Sequence, residues 1–443
     1  MIPISRKTLI SPLNIGLAFT LFTLVLFVFG PYRYPNFCGI WLYLFLFIAY
    51  LSIYLGFKDG LSYNISVHEG KPLFPIRRVI NYLFIISLIL SVPKFYIYSG
   101  FPELSPSFIA YRALLFFSDA QELYSDKIDA AISVTGTWRY INWVIVFFSP
   151  FTWAYSILAV VYWKNLSTFQ KLGSVFIWFL YALEYLITGT NFGLFDLLIT
   201  IGIAFLASRL RENPSVQRKK KRKRKRLVYF LLFGTLFFTL LWIFDSSMSS
   251  RIGDTFYNGG YIANKPYSLD ENRFLYRITP SALQPVLSYV TNYVAKPYSA
   301  LSLAMTLPFE PTFGVGYSWF LLDNAPFSDF LWNRTYPVQI EEIYQYSHTI
   351  NWHTAFTWFA NDVSFYLVPF VLFILFRVFG RAWKEYLVTG NAAAFLLFMI
   401  YVKMMFFLSA NNQVFQGPST TLAFWLLVFT RKYFQSYNWS VIK

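Results

Sequence analysis

Long apolar stretches alternate with short polar ones along the whole chain. Apolar windows of roughly 16 to 24 residues, near the length that crosses a hydrocarbon core of about 30 Å, recur ten times. They predict ten transmembrane helices, at about residues 15–30, 38–56, 79–98, 140–163, 173–189, 193–208, 227–244, 356–377, 392–410 and 420–434.

Lysine and arginine are distributed unevenly between the ends of these windows. Cytoplasmic loops of membrane proteins are enriched in both residues, so the side that carries them indicates the orientation. Six basic groups share one side of a ten-helix layout: Arg6 and Lys7; Lys58, Lys71, Arg77 and Arg78; Lys164 and Lys171; Arg209 to Arg226; Arg377, Arg381 and Lys384; and Arg431, Lys432 and Lys443. We therefore expect both termini to be cytoplasmic.

The composition is that of a membrane protein. Hydrophobic residues make up 56% of the chain and charged residues only 13%, far from the fractions of a soluble domain. Much of the net charge of +16 comes from the run Arg218 to Arg226, whose place directly before an apolar window is typical of the cytoplasmic membrane surface. No soluble domain accompanies that run, so we expect no nucleic-acid binding. Cys38 is the only cysteine, which excludes an intramolecular disulfide.

One segment on the opposite, extracytoplasmic side is much longer than the others. The segments on that side are residues 30–37, 99–139, 188–191, 245–355 and 410–419. The longest separates a predicted seven-helix bundle (1–244) from a three-helix membrane segment (356–443), and residues 245–355 form the predicted loop domain between helices seven and eight. No internal repeat of the kind found in many transporters is visible.

Three extracytoplasmic stretches predict helices outside the membrane core. Residues 108–124 have the spacing of an amphipathic helix on the membrane surface, residues 299–307 are apolar enough to pack onto the bilayer, and residues 338–346 form a short amphipathic pattern. The insertion is also rich in aromatic residues. Such rings suit sugar recognition and equally an interfacial belt of Trp and Tyr, so both interpretations stay open.

Three short motifs accompany the large, late extracytoplasmic loop. They are the mid-chain turn Thr188-Gly189-Thr190-Asn191-Phe192-Gly193, the loop segment Tyr293-x-x-x-Pro297-Tyr298-x-x-Leu301, and Asn351-x-x-Thr354 followed by Asp362. In this order, over about residues 180–380, they resemble the bacterial Wzy-type oligosaccharide repeat-unit polymerases. The chain departs from that family's pattern at Asn191, where Arg is common, and at Val363-Ser364, where Phe-Gly usually follows the Asp.

The resemblance implies an all-α polytopic, GT-C-like fold and a glycosyltransferase of the bacterial inner membrane that needs no cofactor. In that family a hydroxyl group of the newest lipid-linked repeat unit attacks the anomeric carbon of the growing glycan, and undecaprenyl pyrophosphate leaves. The product is O-antigen of lipopolysaccharide, capsule or exopolysaccharide. Expected partners are the undecaprenyl-pyrophosphate-linked oligosaccharide, membrane lipids and a chain-length-regulating co-polymerase.

Such a reaction needs cations that hold the pyrophosphate, and the planar fork of arginine binds phosphate oxygens in pairs. The candidates on the extracytoplasmic side are Arg139, Arg251, Arg273, Arg277 and Arg334, with Arg277 expected to act in catalysis. Each is equally expected to pair with a neighbouring carboxylate, such as Asp254, Asp270 or Glu271. Lys403 lies inside an apolar window, where an ionisable residue faces a cavity or a partner; an ion pair with Glu184 or Asp196 is the competing interpretation.

Two residues are candidates for a catalytic base. Asp362 lies at the N-terminal mouth of the eighth helix, where the helix dipole favours a carboxylate, and a structural first-turn role is its alternative. His353 adjoins the Asn351 motif and suits proton transfer. Asn351 and Tyr298, from the two loop motifs, are expected to bind substrate.

No metal ion is expected. His348 and His353 are five residues apart rather than at the i, i+4 spacing of a helical zinc pair, and no cysteine accompanies them. The loop 30–37 also lacks the paired acidic motif by which metal-dependent GT-C transferases hold a divalent ion.

Three other functions remain open from the sequence. An O-antigen ligase or another GT-C transferase would share the pyrophosphate-binding cations and differ in its acceptor. A transporter or flippase for lipid-linked sugar would carry polar residues on many helices, and a non-enzymatic assembly protein would tolerate loss of the loop arginines. The concentration of polar residues on one face favours the transferase.

Overall fold

The computed structural model of the protein describes residues 6–65, 75–99, 105–132, 136–212, 239, 241–249 and 259–431. Helices dominate these residues, with a single two-stranded antiparallel hairpin among them. Contacts divide the chain into two compact units. Residues 3–75 and 258–443 form the first, which we call the loop-bearing unit, and residues 76–257 form the second, the middle unit.

Long helices come first along the chain, and the hairpin and shorter helices of the insertion precede the last three. In chain order the elements are α1 (Arg6–Phe29), α2 (Ile40–Ser62), α3 (Ile76–Ser99), α4 (Pro106–Ser118), α5 (Ala120–Ile132), α6 (Thr137–Val161), α7 (Thr168–Ile187), α8 (Phe192–Glu212), β1 (Gly259–Ile262), β2 (Lys265–Ser268), α9 (Phe274–Ile278), α10 (Gln284–Val294), α11 (Lys296–Ala304), α12 (Trp319–Asn324), α13 (Ser328–Asn333), α14 (Tyr336–Tyr344), α15 (Ala355–Thr389), α16 (Ala392–Phe407) and α17 (Pro418–Thr430).

The apolar windows of the sequence correspond to these long helices. Every window coincides with a helix except the one at 227–244, most of which lies outside the described residues. Within the described ranges, six helices are long and apolar enough to cross a membrane, namely α1, α2, α3, α6, α8 and α15, and α16 and α17 are shorter apolar helices. This confirms a helical, multi-pass membrane protein, while the count of ten spans stays a prediction.

In the loop-bearing unit, α2 and α15 pack closely and run in the same direction. Gly56 of α2 faces Phe373 of α15, and a Cβ at Gly56 would lie 2.3 Å from the Phe373 carbonyl oxygen. A Cβ at Gly380 would lie 2.2 Å from the carbonyl oxygen of Phe57. Small residues allow such close approach of helix backbones in membranes, so these glycines set the separation of the two helices.

Two basic residues of α15 contact the C-terminal end of α2. Arg377 Nε lies 2.7 Å from Asp59 Oδ2, and Lys384 Nζ donates to the Tyr63 carbonyl oxygen at 2.9 Å. A cation is stabilised at the C-terminal end of a helix, where the carbonyl oxygens carry partial negative charge. Residues 30–37 and 259–355 lie toward the start of α2 and carry basic residues of their own, including Arg33, Arg273 and Arg334. The orientation predicted from Lys and Arg therefore stays a prediction.

The insertion packs as part of the same unit. The expectation that residues 299–307 lie on the bilayer surface is wrong for residues 299–304, because every residue of α11 is buried within the protein. The amphipathic helix expected at 338–346 is confirmed as α14. The contacts group α1 and α2 with the insertion and the C-terminal helices, and the predicted division at residues 244 and 355 stays a prediction.

The middle unit is built around α3, α6 and α7. Lys94 of α3 forms an ion pair with Glu184 of α7 at 2.9 Å. The turn predicted at residues 188–193 is present, with Gly189 at φ 66° between α7 and α8. The surface helix expected at 108–124 is interrupted at Asp119, which separates α4 from α5.

Candidate functional site

A buried lysine begins the buried helix of the insertion. Lys296 is the first residue of α11 and is only 9% exposed. Its Nζ donates a hydrogen bond of 2.8 Å to Asn351 Oδ1 and lies 5.4 Å from the ring centroids of Tyr267 and Tyr346. Burial lowers the pKa of Lys296 from 10.5 to about 8. A cation at the positive end of a helix dipole is unfavourable for the fold alone and favours an anion beside it.

A buried histidine lies in the same region. His353 is 1% exposed, and neither of its ring nitrogens has a hydrogen-bond partner among the described residues. Burial, with a smaller effect from the charge of His348, lowers the pKa of His353 to about 3, so the imidazole is neutral at physiological pH. Lys296 also lowers this pKa electrostatically, which places the two side chains within mutual influence.

Tyr346 adds a third polar group. Its ring meets that of His353 edge-on, with centroids 5.7 Å apart, and its buried hydroxyl has no partner in the described part of the chain. Buried polar groups in native proteins are nearly all hydrogen-bonded to protein, water or a ligand, so the hydroxyl and the two ring nitrogens are candidate contacts for a bound molecule. A group of this kind left without any partner costs about 1–3 kcal/mol.

Local structure explains how the chain delivers these residues. Gln345, at φ 55°, ends α14 in the left-handed conformation, and the next residue, Tyr346, turns inward. The Asn351 side chain is held by its Nδ2 donating to Ser347 O at 3.1 Å. Thr354 then caps α15 by accepting from Thr357 N at 3.3 Å, so His353 directly precedes a fixed helix start.

Tyrosines from the hairpin and from the first loop form the wall of the site. Tyr267 of β2 and Tyr34 lie with ring centroids 5.2 Å apart. The hydroxyl of Tyr34 donates to Asn292 Oδ1 at 2.6 Å, and burial raises its pKa well above the ordinary value. We call Lys296, Asn351, His353, Tyr346 and Tyr267 the lysine site. It offers a cation, a neutral imidazole and a phenol in a desolvated setting.

Two of the residues predicted from sequence, Asn351 and His353, belong to this site. Tyr298, which was predicted to bind substrate, instead links α11 to two other helices. It is fully buried, and its hydroxyl shares hydrogen bonds with Thr23 of α1 at 3.0 Å and Tyr50 of α2 at 2.8 Å. This engagement favours a structural role for Tyr298.

Asp362 lies in the second turn of α15 rather than at its mouth. Its Oδ1 accepts from Thr312 Oγ1 at 2.6 Å, Gly314 N at 2.8 Å and Gly316 N at 2.9 Å. Its Oδ2 accepts from Tyr317 N at 2.8 Å. All four donors come from residues 312–317, so this geometry favours an anchor for that segment over a catalytic base.

Two of the candidate arginines, both in the insertion, form hydrogen bonds with other protein groups. Arg273 Nε donates to Gly30 O at 2.9 Å, and its Nη2 donates to Val28 O, at the C-terminal end of α1. Arg334 Nε donates to Pro311 O at 2.8 Å, and its Nη1 lies 3.7 Å from Glu310 Oε2. Both contacts are of the kind that fixes a loop.

The remaining candidate cations have different positions. Arg277 is exposed on α9, and none of the described residues pairs with its guanidinium. Arg139 is exposed at the start of α6 in the middle unit, and Lys403 is half-buried within α16. Arg251 lies outside the described residues, so its predicted role stays a prediction, as does that of Arg277.

Sequence reasoning missed Lys296 and Tyr346. Lys296 is one of the unnamed positions within Tyr293-x-x-x-Pro297-Tyr298, and it stands among apolar residues from Val294 to Leu303. An isolated lysine in such a stretch could have identified Lys296 as a candidate site residue from the sequence. Nothing local marks Tyr346, because its place depends on the left-handed turn that precedes it.

Comparison with protein-family models, with curated proteins and with solved structures gave no significant match. The chemistry of the lysine site therefore carries the functional argument. Among the described residues, no three His, Cys, Asp or Glu side chains are grouped as metal ligands would be.

Proposed function

We propose that the protein is a glycosyltransferase that polymerises undecaprenyl-pyrophosphate-linked oligosaccharide repeat units at the extracytoplasmic face of a bacterial inner membrane. The observation that carries the proposal is the lysine site. It combines a buried cation with imidazole and phenol groups that no described residue satisfies, in the part of the loop-bearing unit that lies toward the start of α2. Lipid-linked pyrophosphate with an attached glycan matches both parts of that chemistry.

Lys296 supplies the electrostatic part of the proposed reaction. The bond between the anomeric carbon of the growing glycan and the pyrophosphate oxygen breaks, and the pyrophosphate takes the electron pair. Lys296 and the N-terminus of α11 offset the negative charge that develops on it. Asn351 positions the ammonium through the 2.8 Å hydrogen bond.

His353 supplies the proton acceptor. The hydroxyl oxygen of the incoming repeat unit bonds to the anomeric carbon, and its proton passes to a ring nitrogen of the neutral imidazole. In the unliganded protein burial lowers the pKa of His353, with smaller electrostatic contributions from His348 and Lys296. The negative charge of a pyrophosphate bound beside the imidazole favours its protonated form and therefore raises this pKa, as a general base requires.

A transporter would use the charged groups of the middle unit. Lys94 pairs with Glu184, and Tyr181 donates to Asp196 Oδ2 at 3.0 Å. Ionisable groups inside apolar helices often mark transport paths. In the middle unit these ionisable groups contact other residues of the same unit, as in a structural ion pair. The transferase therefore remains the favoured function.

The test is a polymerisation assay with the purified protein in liposomes and synthetic undecaprenyl-pyrophosphate-linked repeat units. We expect polymer from the native protein and from Lys265→Met, a control at an exposed lysine, and no polymer from Lys296→Met. A ligase would yield no polymer but would transfer glycan to lipid A when that acceptor is added. Unchanged polymer from Lys296→Met would remove Lys296 from the mechanism.

A further inference from the structure

Three phenylalanines project from the insertion into the surroundings. Phe313 is 72% exposed, Phe327 83% and Phe330 54%. Arg334 lies between two of them, with its guanidinium carbon 5.0 Å from the Phe330 ring centroid and 5.8 Å from that of Phe313. We call these four residues the aromatic edge. Exposed apolar groups clustered around a cation mark an interaction surface.

The backbone is strained at two of these phenylalanines. Phe313 has φ 55° and Phe327 has φ 59°, in the left-handed region that favours glycine. A bulky residue there costs of order 1–3 kcal/mol and persists where the surrounding structure or function requires it. Burial of the rings within the protein does not explain the strain, because both rings are exposed.

The aromatic edge is firmly attached to a membrane-spanning helix. Asp362 of α15 accepts hydrogen bonds from residues on both sides of Phe313, namely from the Thr312 hydroxyl and from Gly314 N. Arg334 is fixed by its hydrogen bond to Pro311 O. Phe313 and Arg334 are therefore held in place from both sides.

That helix begins its lipid-facing stripe beside the attachment point. Tyr366 is 94% exposed, and Phe370 and Ile374 follow at the helical spacing of four residues, both exposed. An apolar stripe on a spanning helix faces lipid, and a tyrosine at its end is typical of the membrane interface. Asp362, which holds the Phe313 loop, is four residues before Tyr366, and Ser364, at φ 57°, kinks the helix between them.

We propose that the aromatic edge inserts into the interfacial layer of the lipid bilayer that surrounds the helices. Phenylalanine rings bury at the boundary between headgroups and acyl chains. The stem of an arginine covers apolar groups while its guanidinium reaches polar surroundings, so Arg334 lies at the depth of the lipid phosphates. The occupant is lipid, because the edge continues the lipid-exposed surface of α15.

Nitroxide labels measure this depth directly. In a Cys38→Ser background, single-cysteine variants Phe327→Cys and Phe330→Cys are labelled and reconstituted in vesicles of phosphatidylethanolamine and phosphatidylglycerol. Phe330 lies in the regular helix α13, so its variant does not depend on the strained backbone. Glu342→Cys, an exposed position on the short helix α14, is the matched control.

We expect both edge labels to collide more often with oxygen, which enters lipid, than with a water-soluble nickel chelate, and the Glu342 label to show the reverse. Preferential collision with the chelate at both edge positions would overturn the proposal. Protection from both reagents, accompanied by spin–spin broadening, would indicate a second copy of the chain on this surface and would overturn it equally.

Discussion

Replacement of Lys296 by Met separates the stability of the protein from its activity. The Lys296 ammonium is buried and donates a hydrogen bond to Asn351. Methionine has a similar length and no charge, and its unbranched chain adapts to irregular surroundings. We expect the variant to be more stable than the native protein at neutral pH and inactive in the polymerisation assay.

The magnitude follows from the pKa of Lys296. It falls from 10.5 to about 8 on burial, and since one pKa unit is equivalent to 1.36 kcal/mol, the charged form costs about 3 kcal/mol in the folded state. The substitution also leaves Asn351 Oδ1 without its donor, which costs about 1 kcal/mol. The expected net gain is therefore about 2 kcal/mol in the free energy of unfolding.

The pH dependence has a definite sign. Between pH 8 and 10.5 the unfolded chain keeps the Lys296 proton and the folded protein releases it, so the stability of the native protein rises with pH. The advantage of Lys296→Met is thus full below pH 8 and disappears as the pH approaches 10.5. Reversible unfolding in mixed micelles at about pH 7 and about pH 10 measures both values, with Lys265→Met as the control.

A decrease in stability at neutral pH would refute this reasoning, because it would mean that the Lys296 charge stabilises the fold through protein partners. Equal gains at both pH values would also refute it, since the gain would then come from packing rather than from removal of a buried charge.

Three further substitutions test the surrounding assignments. His353→Phe should abolish polymerisation. It should leave the unfolding free energy unchanged or raise it by about 1–3 kcal/mol, because it removes buried nitrogens that no described residue satisfies. A large loss of stability would indicate a structural histidine. Asp362→Asn should lower stability by about 1–3 kcal/mol, since the amide cannot accept from four donors as the carboxylate does. Lost activity with unchanged unfolding would return Asp362 to the role of base. Gly56→Val should prevent close packing of α2 on α15, seen as loss of folded protein from detergent extracts; a normal yield would show that the helices separate without cost.

The membrane architecture was predictable because it depends on local composition. Apolar windows identify the spanning helices through their length alone, and the lysines and arginines that cap them indicate a side. The position of α11 was not predictable in this way. The stretch 299–307 is equally apolar whether it faces lipid or protein, and only the distant partners Thr23 and Tyr50 show that it is a core helix.

Motif spacing found part of the candidate site for a related reason. Asn351 and His353 are two residues apart and were found together, whereas Lys296 reaches them across 55 positions of sequence. Conversely, Asp362 stood out in sequence as a carboxylate at a helix start. In the structure this carboxylate holds residues 312–317 through hydrogen bonds.

Hydrogen-bond partners indicate which of the polar residues that were prominent in sequence have a structural role in this unit. Asp362, Arg273 and Tyr298 were prominent in sequence, and the fold gives each of them protein partners. His353 and Tyr346 are buried with polar atoms that no described residue satisfies. A buried polar group without any partner lowers stability, and a ligand that completes its interactions would offset that cost. This is the physical basis for proposing the lysine site as the substrate site, with the arginines that hold the backbone of the insertion keeping it in position.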